Sequence, residues 1–359
     1  MASIEPYETA KGRRYRVRYR RPDGRHTDRR GFRTKREATL FLNTTEVDKA
    51  QGTYIDPSAG AVTIAHLGKP WLDRQSHLKP STYTAIRGAW HTHVQPKWGH
   101  WKIRDITQTE VEGWVADLSR KRSATVTLRA LGVLKGILDG AVKDRLIGRN
   151  PAVELTNLPR KGKKEHIYLT HQQVGSLADA SGEYRRIVLV GCYLGLRWGE
   201  ITGLRAKDFD AEKKRLTVAQ NVVRVGSKFY PGTPKTHEQR TVAVPAFLVT
   251  ELQDQVKDRI GDALIFPGTN SGYLMRPKKQ IGWWKEAKAA AGVPDAMVPH
   301  DMRHTAASLA IQSGAHVKAV QRMLGHASAA MTLDTYSALF DTDLDVVAEA
   351  MDAARTAAR

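Results

Sequence analysis

The segment RRYRVRYRR at residues 13–21 constrains the fold more than any other part of the sequence. Its arginines alternate with tyrosine and valine. Successive side chains of a β-strand point to opposite faces, so a period of two predicts a strand with one apolar face and one face of guanidinium groups. The Pro-Asp-Gly sequence at 22–24 predicts a turn, and residues 26–34 predict a second strand that returns along the first.

A helix is predicted to follow these strands. Thr34 and Glu37 have the spacing of a capping box, and Ala38, Phe41 and Leu42 would lie on one face of the helix. If the apolar face of the helix packs on one side of the sheet, the opposite side carries Arg14, Arg16, Arg18 and Arg20. Two interpretations stay open: a solvated basic edge strand, or a strand that contacts DNA phosphates and reads bases in the major groove.

The charge of the chain favours a polyanionic partner. The 359 residues carry a net charge of +20, and residues 1–36 hold 13 Lys and Arg against 4 Asp and Glu. Nucleic acid is the first candidate for such an excess. A hydrophobic fraction of 41% and this length are typical of two or three globular domains. We expect no membrane partner, because no long apolar run and no lipidation motif is present.

The single cysteine and the amino terminus indicate a reducing compartment. Cys192 lies in an apolar run and predicts a buried free thiol. The first residues, MASIEPYETA, lack the features of a secretory signal. Both observations predict a cytoplasmic protein.

Composition divides the chain. Residues 52–60 are rich in Gly, Pro and Ser and predict a linker, and the basic residues 158–166 predict a second one. Between them the apolar residues recur with a helical period. Three helices are predicted there, at 81–94 with Ser81 as N-cap, at 107–119, and at 125–148 with GRNP (148–151) as the stop signal. Residues 215–225 and 240–245 predict strands.

Four segments of the last 165 residues carry the groups suited to chemistry. They are YLGLRWGEITGL (193–204), TPKTHEQRTVAVP (233–245), VPHDMRHTAA (298–307) and MLGHASAAMTLDTYSAL (323–339). Two guanidinium groups can grip a phosphodiester and neutralise charge in a five-coordinate transition state. A tyrosine hydroxyl, with an ordinary pKa near 10, needs a base or cationic surroundings to attack, and histidine or lysine can move the protons. We expect no metal and no cofactor, because the sequence has neither a Cys/His zinc spacing nor a GxxxxGK[ST] loop.

These segments resemble the catalytic domain of the tyrosine recombinases, the phage integrase family. The motifs LGLRWGE, PKT…RTV, HDMRHT, and LGHAS followed by DTY stand in the family's order. Residues 63–151 resemble the family's helical core-binding domain, and residues 11–51 its sheet-and-helix arm-binding domain. The resemblance implies a multidomain, mainly α protein with small β-sheets. Its expected parts are an arm-type DNA-binding domain at 1–58, a helical core-binding domain at 63–155, a mixed α+β catalytic domain at 166–340 and a tail helix at 341–359.

The resemblance also implies a role for six residues. Arg197 and Arg303 would bind the scissile phosphate, and His326 would donate a hydrogen bond to it. Lys235 would be the general acid for the 5′ oxygen. His300 would assist proton transfer at Tyr336, which would be the nucleophile. Glu200 is expected to support the site, and His304 to be structural.

The implied function is site-specific DNA recombination. The enzyme would cleave and rejoin DNA through a 3′-phosphotyrosine, without metal or ATP, and would integrate or excise phage or mobile-element DNA at attachment sites. The implied partners are double-stranded DNA with core and arm sites, a homotetramer on that DNA, a directionality factor and a host DNA-bending protein. The expected location is the nucleoid of a bacterial host. The arginine strand, Arg14, Arg16, Arg18 and Arg20, would then hold the arm site.

Three other functions fit the sequence less well. A type IB topoisomerase uses a similar site but acts as a monomer and needs no arm-binding module. A DNA-binding repressor explains the charge but not the catalytic residues. A metal-dependent transposase would need a triad of acids that holds Mg²⁺.

Overall fold

The computed structural model describes residues 2–56, 58–162, 165–233, 239–269, 272–339 and 343–358. The chain divides into two compact units, Met1–Gly162 and Lys163–Arg359. Both are built mainly of helices with small antiparallel sheets, which confirms the expected fold class. Within the described ranges, no helix combines the length and the apolar character that a membrane crossing requires.

The first unit begins with a three-stranded antiparallel sheet. Its strands are β1 (Ser3–Tyr7), β2 (Arg14–Arg20) and β3 (His26–Phe32), in the order β1-β2-β3, and helix α1 (Lys35–Ala50) follows. Val17 and Tyr19 are buried together with Ala38 of α1, so the predicted apolar face is confirmed. The interpretation of residues 13–21 as an edge strand is wrong, because β1 pairs with β2 on its other side.

The capping box that opens α1 is also confirmed. The Thr34 side chain accepts from the Glu37 backbone N–H, and the Glu37 carboxylate accepts from the Thr34 backbone N–H. Phe41 and Leu42 lie partly buried against the sheet, as their spacing predicted.

The rest of the first unit is helical. Its elements are α2 (Ile64–Asp73), α3 (Pro80–Ala89), a π-helical turn (Trp90–Val94), α4 (Gln95–Trp98), α5 (Gln108–Lys121) and α6 (Ala124–Lys143). Ser81 is not the N-cap of α3. Lys79 caps it, because Pro80 has the fixed φ that suits the first helical position. Helix α6 ends at Lys143 and not at Gly148, since the chain already turns at Arg145 with a positive φ.

The second unit packs helices around two small sheets. Its elements are α7 (His171–Ala180), α8 (Arg185–Leu194), α9 (Trp198–Ile201), β4 (Phe209–Asp210), β5 (Arg215–Val218), β6 (Asn221–Val225), β7 (Lys228–Gly232), β8 (Arg240–Ala243), α10 (Ala246–Val256), α11 (Trp283–Ala290), α12 (Asp301–Gln312), α13 (Val317–Leu324), α14 (Ala329–Tyr336) and α15 (Asp343–Ala357). The sheets are β4-β5-β8 and β6-β7. The strand predicted at 215–225 is therefore two strands that belong to different sheets.

Helix α12 lies in the centre of this unit. Most of its residues are buried, and it packs against α8. The core includes Cys192 of α8, whose free thiol is buried as predicted, and Met302 of α12. A buried helix that carries His300 at its start and Arg303 in its first turn fixes both side chains through its own packing.

Candidate active site

Arg303 is held at the centre of the site by the carboxyl end of α8. Its Nη1 donates to the carbonyl of Gly195 at 2.7 Å. Gly195 closes α8 with φ +65°, and a Cβ there would lie 2.7 Å from Leu324 Cδ2, so both the backbone conformation and the space require glycine. Burial and the neighbouring Arg197 lower the pKa of Arg303 to about 9. Its Nη2 is buried and has no partner among the described residues. This nitrogen is a donor suited to an anion.

Arg197 and Arg240 share one buried carboxylate. Glu200 is fully buried, and it accepts from Arg197 Nη1 at 2.8 Å and from Arg240 at 3.0 and 2.6 Å. Burial opposes the charge of Glu200, but the bidentate bond from Arg240 and the charges of both arginines outweigh it and lower its pKa to about 2. The supporting role expected for Glu200 therefore has a structural basis. The group of Arg197, Arg240 and Glu200 therefore has a net positive charge.

The side chains of Arg197, Arg240 and His326 line a cleft of about 740 Å³. His326 follows Gly325 at the end of α13, and its Nδ1 hydrogen-bonds the Thr332 hydroxyl at 2.9 Å. Burial and the charges of Arg303, Arg197 and Arg240 lower the pKa of His326 to about 4. The ring is therefore neutral near pH 7. Because Nδ1 is engaged, Nε2 is the nitrogen left to meet a ligand in the cleft.

Tyr336 is buried at the end of α14 and pairs with His304 of α12. Its hydroxyl lies 2.8 Å from His304 Nδ1, and only 1% of its surface is exposed. Burial raises the pKa of Tyr336 to about 12, although the charge of Arg303 acts in the opposite direction. The hydroxyl is thus protonated at neutral pH and already has an imidazole within hydrogen-bond distance.

His300 lies beside His304, with ring centroids 5.0 Å apart and the rings nearly perpendicular. Burial and the charges of Arg303, Arg276 and Arg197 lower its pKa to about 4. Among the described residues Tyr336 hydrogen-bonds His304 and not His300. The assisting role expected for His300 remains a proposal.

The ligand-type atoms of His166, Asp301 and His304 lie within 4.8 Å of one another. Distances of this size would admit a metal, but the rings of His166 and His304 are stacked 3.8 Å apart at 28°. Stacked rings direct their in-plane nitrogen lone pairs side by side and not to one point. Asp301 Oδ2 also accepts from the Val298 backbone N–H at 2.8 Å. We therefore assign the group to the positioning of His304.

The second unit thus brings five of the six predicted catalytic residues into one region. Lys235, the sixth, lies outside the described residues. Of the residues that contact the site, the sequence reasoning missed Arg240 and gave His304 a different role. Arg240 stands in the RTV that closes the second motif, and its period-two position on a strand could have indicated an inward side chain. His304 was expected to be structural, because a histidine at this position is usual in the family that the sequence resembles.

The predicted DNA-binding arginines of β2 differ in availability. Arg16 is ion-paired with Glu5 at 2.5 Å, and Arg20 Nε donates to the Gly24 carbonyl at 2.7 Å. Arg18 has a side chain that is 60% exposed and lies 3.7 Å from Glu5. Arg16 and Arg18, together with Arg30 of β3, line a shallow concavity of about 500 Å³ on the sheet.

Known proteins resemble both the sequence and the fold. Residues 168–342 match the sequence model of the phage integrase family. A protein of Mycobacterium tuberculosis named as the integrase of prophage phiRv2 is 29% identical over 352 residues, which cover 93% of this chain and 92% of that protein.

Two solved structures share the fold. The Tn1549 transposon integrase in complex with transposon right end DNA aligns with a TM-score of 0.68 and 21% identity, over 77% of this chain and 95% of that one. A lambda integrase tetramer bound to a Holliday junction aligns with a TM-score of 0.58 and 16% identity, over 90% of this chain and 95% of that one.

The family match at residues 168–342 identifies this part of the chain as the catalytic domain of a tyrosine recombinase. Residues 168–342 of this chain belong to the phage integrase family. Its activity is site-specific DNA recombination of the integrase type.

Proposed function

We propose that Tyr336 is the nucleophile that cleaves DNA and forms a 3′-phosphotyrosine, with Arg197 and Arg303 as the ligands of the scissile phosphate. The observation that carries this proposal is the buried Tyr336 hydroxyl in a region where Arg303, Arg197 and Arg240 cluster. Clustered guanidinium groups favour the extra negative charge of a five-coordinate phosphorus. Arg303 Nη2, which is buried and has no partner within the part of the chain that the structure describes, would bond a phosphate oxygen.

The other predicted residues complete the chemistry. His326 Nε2 donates to a second phosphate oxygen from the cleft wall. Lys235 gives a proton to the leaving 5′ oxygen, and His300 assists proton transfer. The bond energy stays in the phosphotyrosine, so a 5′ hydroxyl from a partner strand can reverse the attack without ATP.

Arm-site binding belongs to the sheet of the first unit in this proposal. Residues 1–58 are the arm-binding domain, 63–155 the core-binding domain, 166–340 the catalytic domain and 341–359 a tail helix. The exposed arginines of β2 and the concavity beside them support the first assignment. Phosphate contacts by these arginines would anchor the sheet, and base contacts would select the site.

The assembly that acts would be a homotetramer on two DNA sites, because the lambda integrase that shares this fold forms a tetramer on a Holliday junction. A directionality factor and a host DNA-bending protein would select between integration and excision. The enzyme would act in the nucleoid of a bacterial cell.

Covalent trapping tests the nucleophile. The protein is mixed in EDTA with nicked duplexes drawn from the junctions that flank its own gene, and denaturing gels report DNA that stays attached. We expect a covalent band with the native chain and none with Tyr336→Phe. A band that persists in the variant would contradict the assignment.

A further inference from the structure

We propose that His304 is the general base that takes the proton of Tyr336 during cleavage, and that Asp301 and His166 position it. This inference rests on the proposed role of Tyr336 as nucleophile. It gives His304 a catalytic role in place of the structural one that its sequence position suggested.

The contact between the two side chains is direct. His304 Nδ1 and the Tyr336 hydroxyl are 2.8 Å apart, and the two residues are 7% and 1% exposed. A base must lie within hydrogen-bond distance of the proton that it removes, and this pair meets that condition before any DNA is bound. Bulk water has almost no access to the hydroxyl, so a protein group has to accept the proton.

The neighbours of His304 suit the imidazolium that proton transfer creates. Asp301 lies three residues earlier on α12, hence on the same helix face, and a carboxylate oxygen is within 4.8 Å of a His304 ring nitrogen. The Val298 backbone N–H donates to Asp301 Oδ2 at 2.8 Å and so holds the carboxylate in place. A hydroxyl bonded to an imidazole, with a buried carboxylate near that ring, brings together the three kinds of group by which hydrolases activate serine.

His166 fixes the plane of the imidazole. Its ring is stacked on that of His304, with centroids 3.8 Å apart. Since a stacked ring cannot rotate freely, Nδ1 stays directed at the Tyr336 hydroxyl. His166 is the last residue of the predicted basic linker at 158–166, so the end of this linker helps to hold the base.

His300 is less suited to this step. It faces the cations Arg303, Arg276 and Arg197, which together with burial oppose its protonation. Among the described residues, the ring nitrogen that hydrogen-bonds the Tyr336 hydroxyl belongs to His304 and not to His300.

The step balances without any further reactant. As the Tyr336 oxygen forms its bond to phosphorus, the hydroxyl proton passes to His304 Nδ1. The bond from phosphorus to the 5′ oxygen breaks, and that oxygen takes its proton from the general acid. In the reverse step the imidazolium returns its proton to the phenolate as the 5′ hydroxyl attacks.

Two DNA substrates distinguish the loss of a general base from the loss of a general acid. One has the ordinary 5′ oxygen at the scissile bond, and the other has a bridging 5′ sulfur, whose thiolate leaves without protonation. We expect His304→Gln to slow covalent complex formation about 10²–10⁴-fold on both substrates. Lys235→Ala is the matched variant, because it removes the proposed general acid. It should form the covalent complex slowly with the oxygen substrate and at close to the native rate with the sulfur substrate.

The possible results lead to different conclusions. The proposal would be overturned if His304→Gln cleaved the sulfur substrate at close to the native rate. It would also be overturned if His304→Gln cleaved the oxygen substrate at or above the native rate. If the native chain forms no covalent complex with either substrate, the role of Tyr336 itself fails instead. Circular dichroism and DNA binding verify that each variant is folded.

Chemical rescue gives a second measurement if His304→Gln does not fold. His304→Ala leaves a space of imidazole size beside His166, and added imidazole should restore cleavage of both substrates. A folded, DNA-binding His304→Ala that imidazole does not accelerate would speak against a base at this position.

Asp301 is tested as a positioning residue through coupling. We expect Asp301→Asn to slow covalent complex formation by the same factor with both substrates. Combined with His304→Gln it should cause no further loss, since both variants impair the same proton transfer. Independent losses that multiply in the double variant would show that Asp301 acts elsewhere.

Discussion

Arg240 and Glu200 form a bidentate ion pair inside the catalytic unit, with Nη1–Oε1 and Nη2–Oε2 distances of 3.0 and 2.6 Å. The Glu200 side chain is fully buried, and that of Arg240 is 12% exposed. Arg240 Nε also donates to the Met323 carbonyl at the end of α13. The Arg240 side chain therefore joins β8, α9 and the end of α13, which His326 follows.

Removing Arg240 should destabilise the protein strongly. Arg240→Met leaves the Glu200 carboxylate buried with only Arg197 as partner, and breaking a buried pair in this way costs about 3–5 kcal/mol. Urea denaturation measures the loss in the free energy of unfolding. Arg205→Met, which breaks an exposed pair with Asp262, is the control and should cost under about 1 kcal/mol. Equal losses in the two variants would contradict the importance of the buried pair.

Stability should fall as the pH is lowered from about 6.5 to about 4. His300 and His326 have folded-state pKa values of about 4, below the ordinary value near 6.5. Between these pH values the two histidines are protonated in the unfolded chain but remain neutral in the folded chain. The stabilisation present above pH 6.5 is therefore lost on acidification. The urea midpoint of unfolding, determined at several pH values in this range, measures the change in stability.

His326→Gln should make this pH dependence shallower. The exposed His77, changed to Gln in the same way, is the control and should leave the slope unaltered. If the slope survives in His326→Gln, other groups cause the loss.

Gly325→Ala should impair cleavage beyond its effect on stability. Gly325 has φ +65°, and a Cβ there would lie 2.9 Å from Arg240 Cδ. The substitution strains the backbone by about 1–3 kcal/mol and displaces Arg240 beside the cleft. Gly314→Ala is the matched control, because Gly314 has φ +81° with no atom within 4 Å of its Cβ. Covalent trapping should show a loss of rate in Gly325→Ala alone, and similar rates in the two variants would refute this.

Arg18→Gln should weaken arm-site binding more than core-site binding. The Arg18 side chain is 60% exposed on the arginine face, and loss of one phosphate contact lowers the salt slope of log K by about 1. Binding to each DNA is measured at several salt concentrations. Arg120→Gln, on the exposed side of α5, is the control for loss of one positive charge. Parallel loss at both DNA sites would argue against an arm-specific role.

Sequence alone determined the local structures that follow from a short repeat or a cap. The alternation in residues 13–21 requires a strand with two unlike faces, and the Thr34–Glu37 spacing requires a helix start, because both depend on neighbours within a few residues. The four ordered motifs likewise identified the family and named six residues, of which the described part of the structure brings five to one region.

Only the tertiary structure decided which side chains touch. Neither the pairing of Tyr336 with His304, 32 residues apart, nor that of Arg240 with Glu200, 40 residues apart, leaves a periodic signal in the sequence. The packing of α12 in the core aims His304 at the hydroxyl, and the pairing of β1 with β2 makes the arginine strand central. Contacts between distant segments are fixed by how whole elements pack, and no short stretch of sequence contains that information.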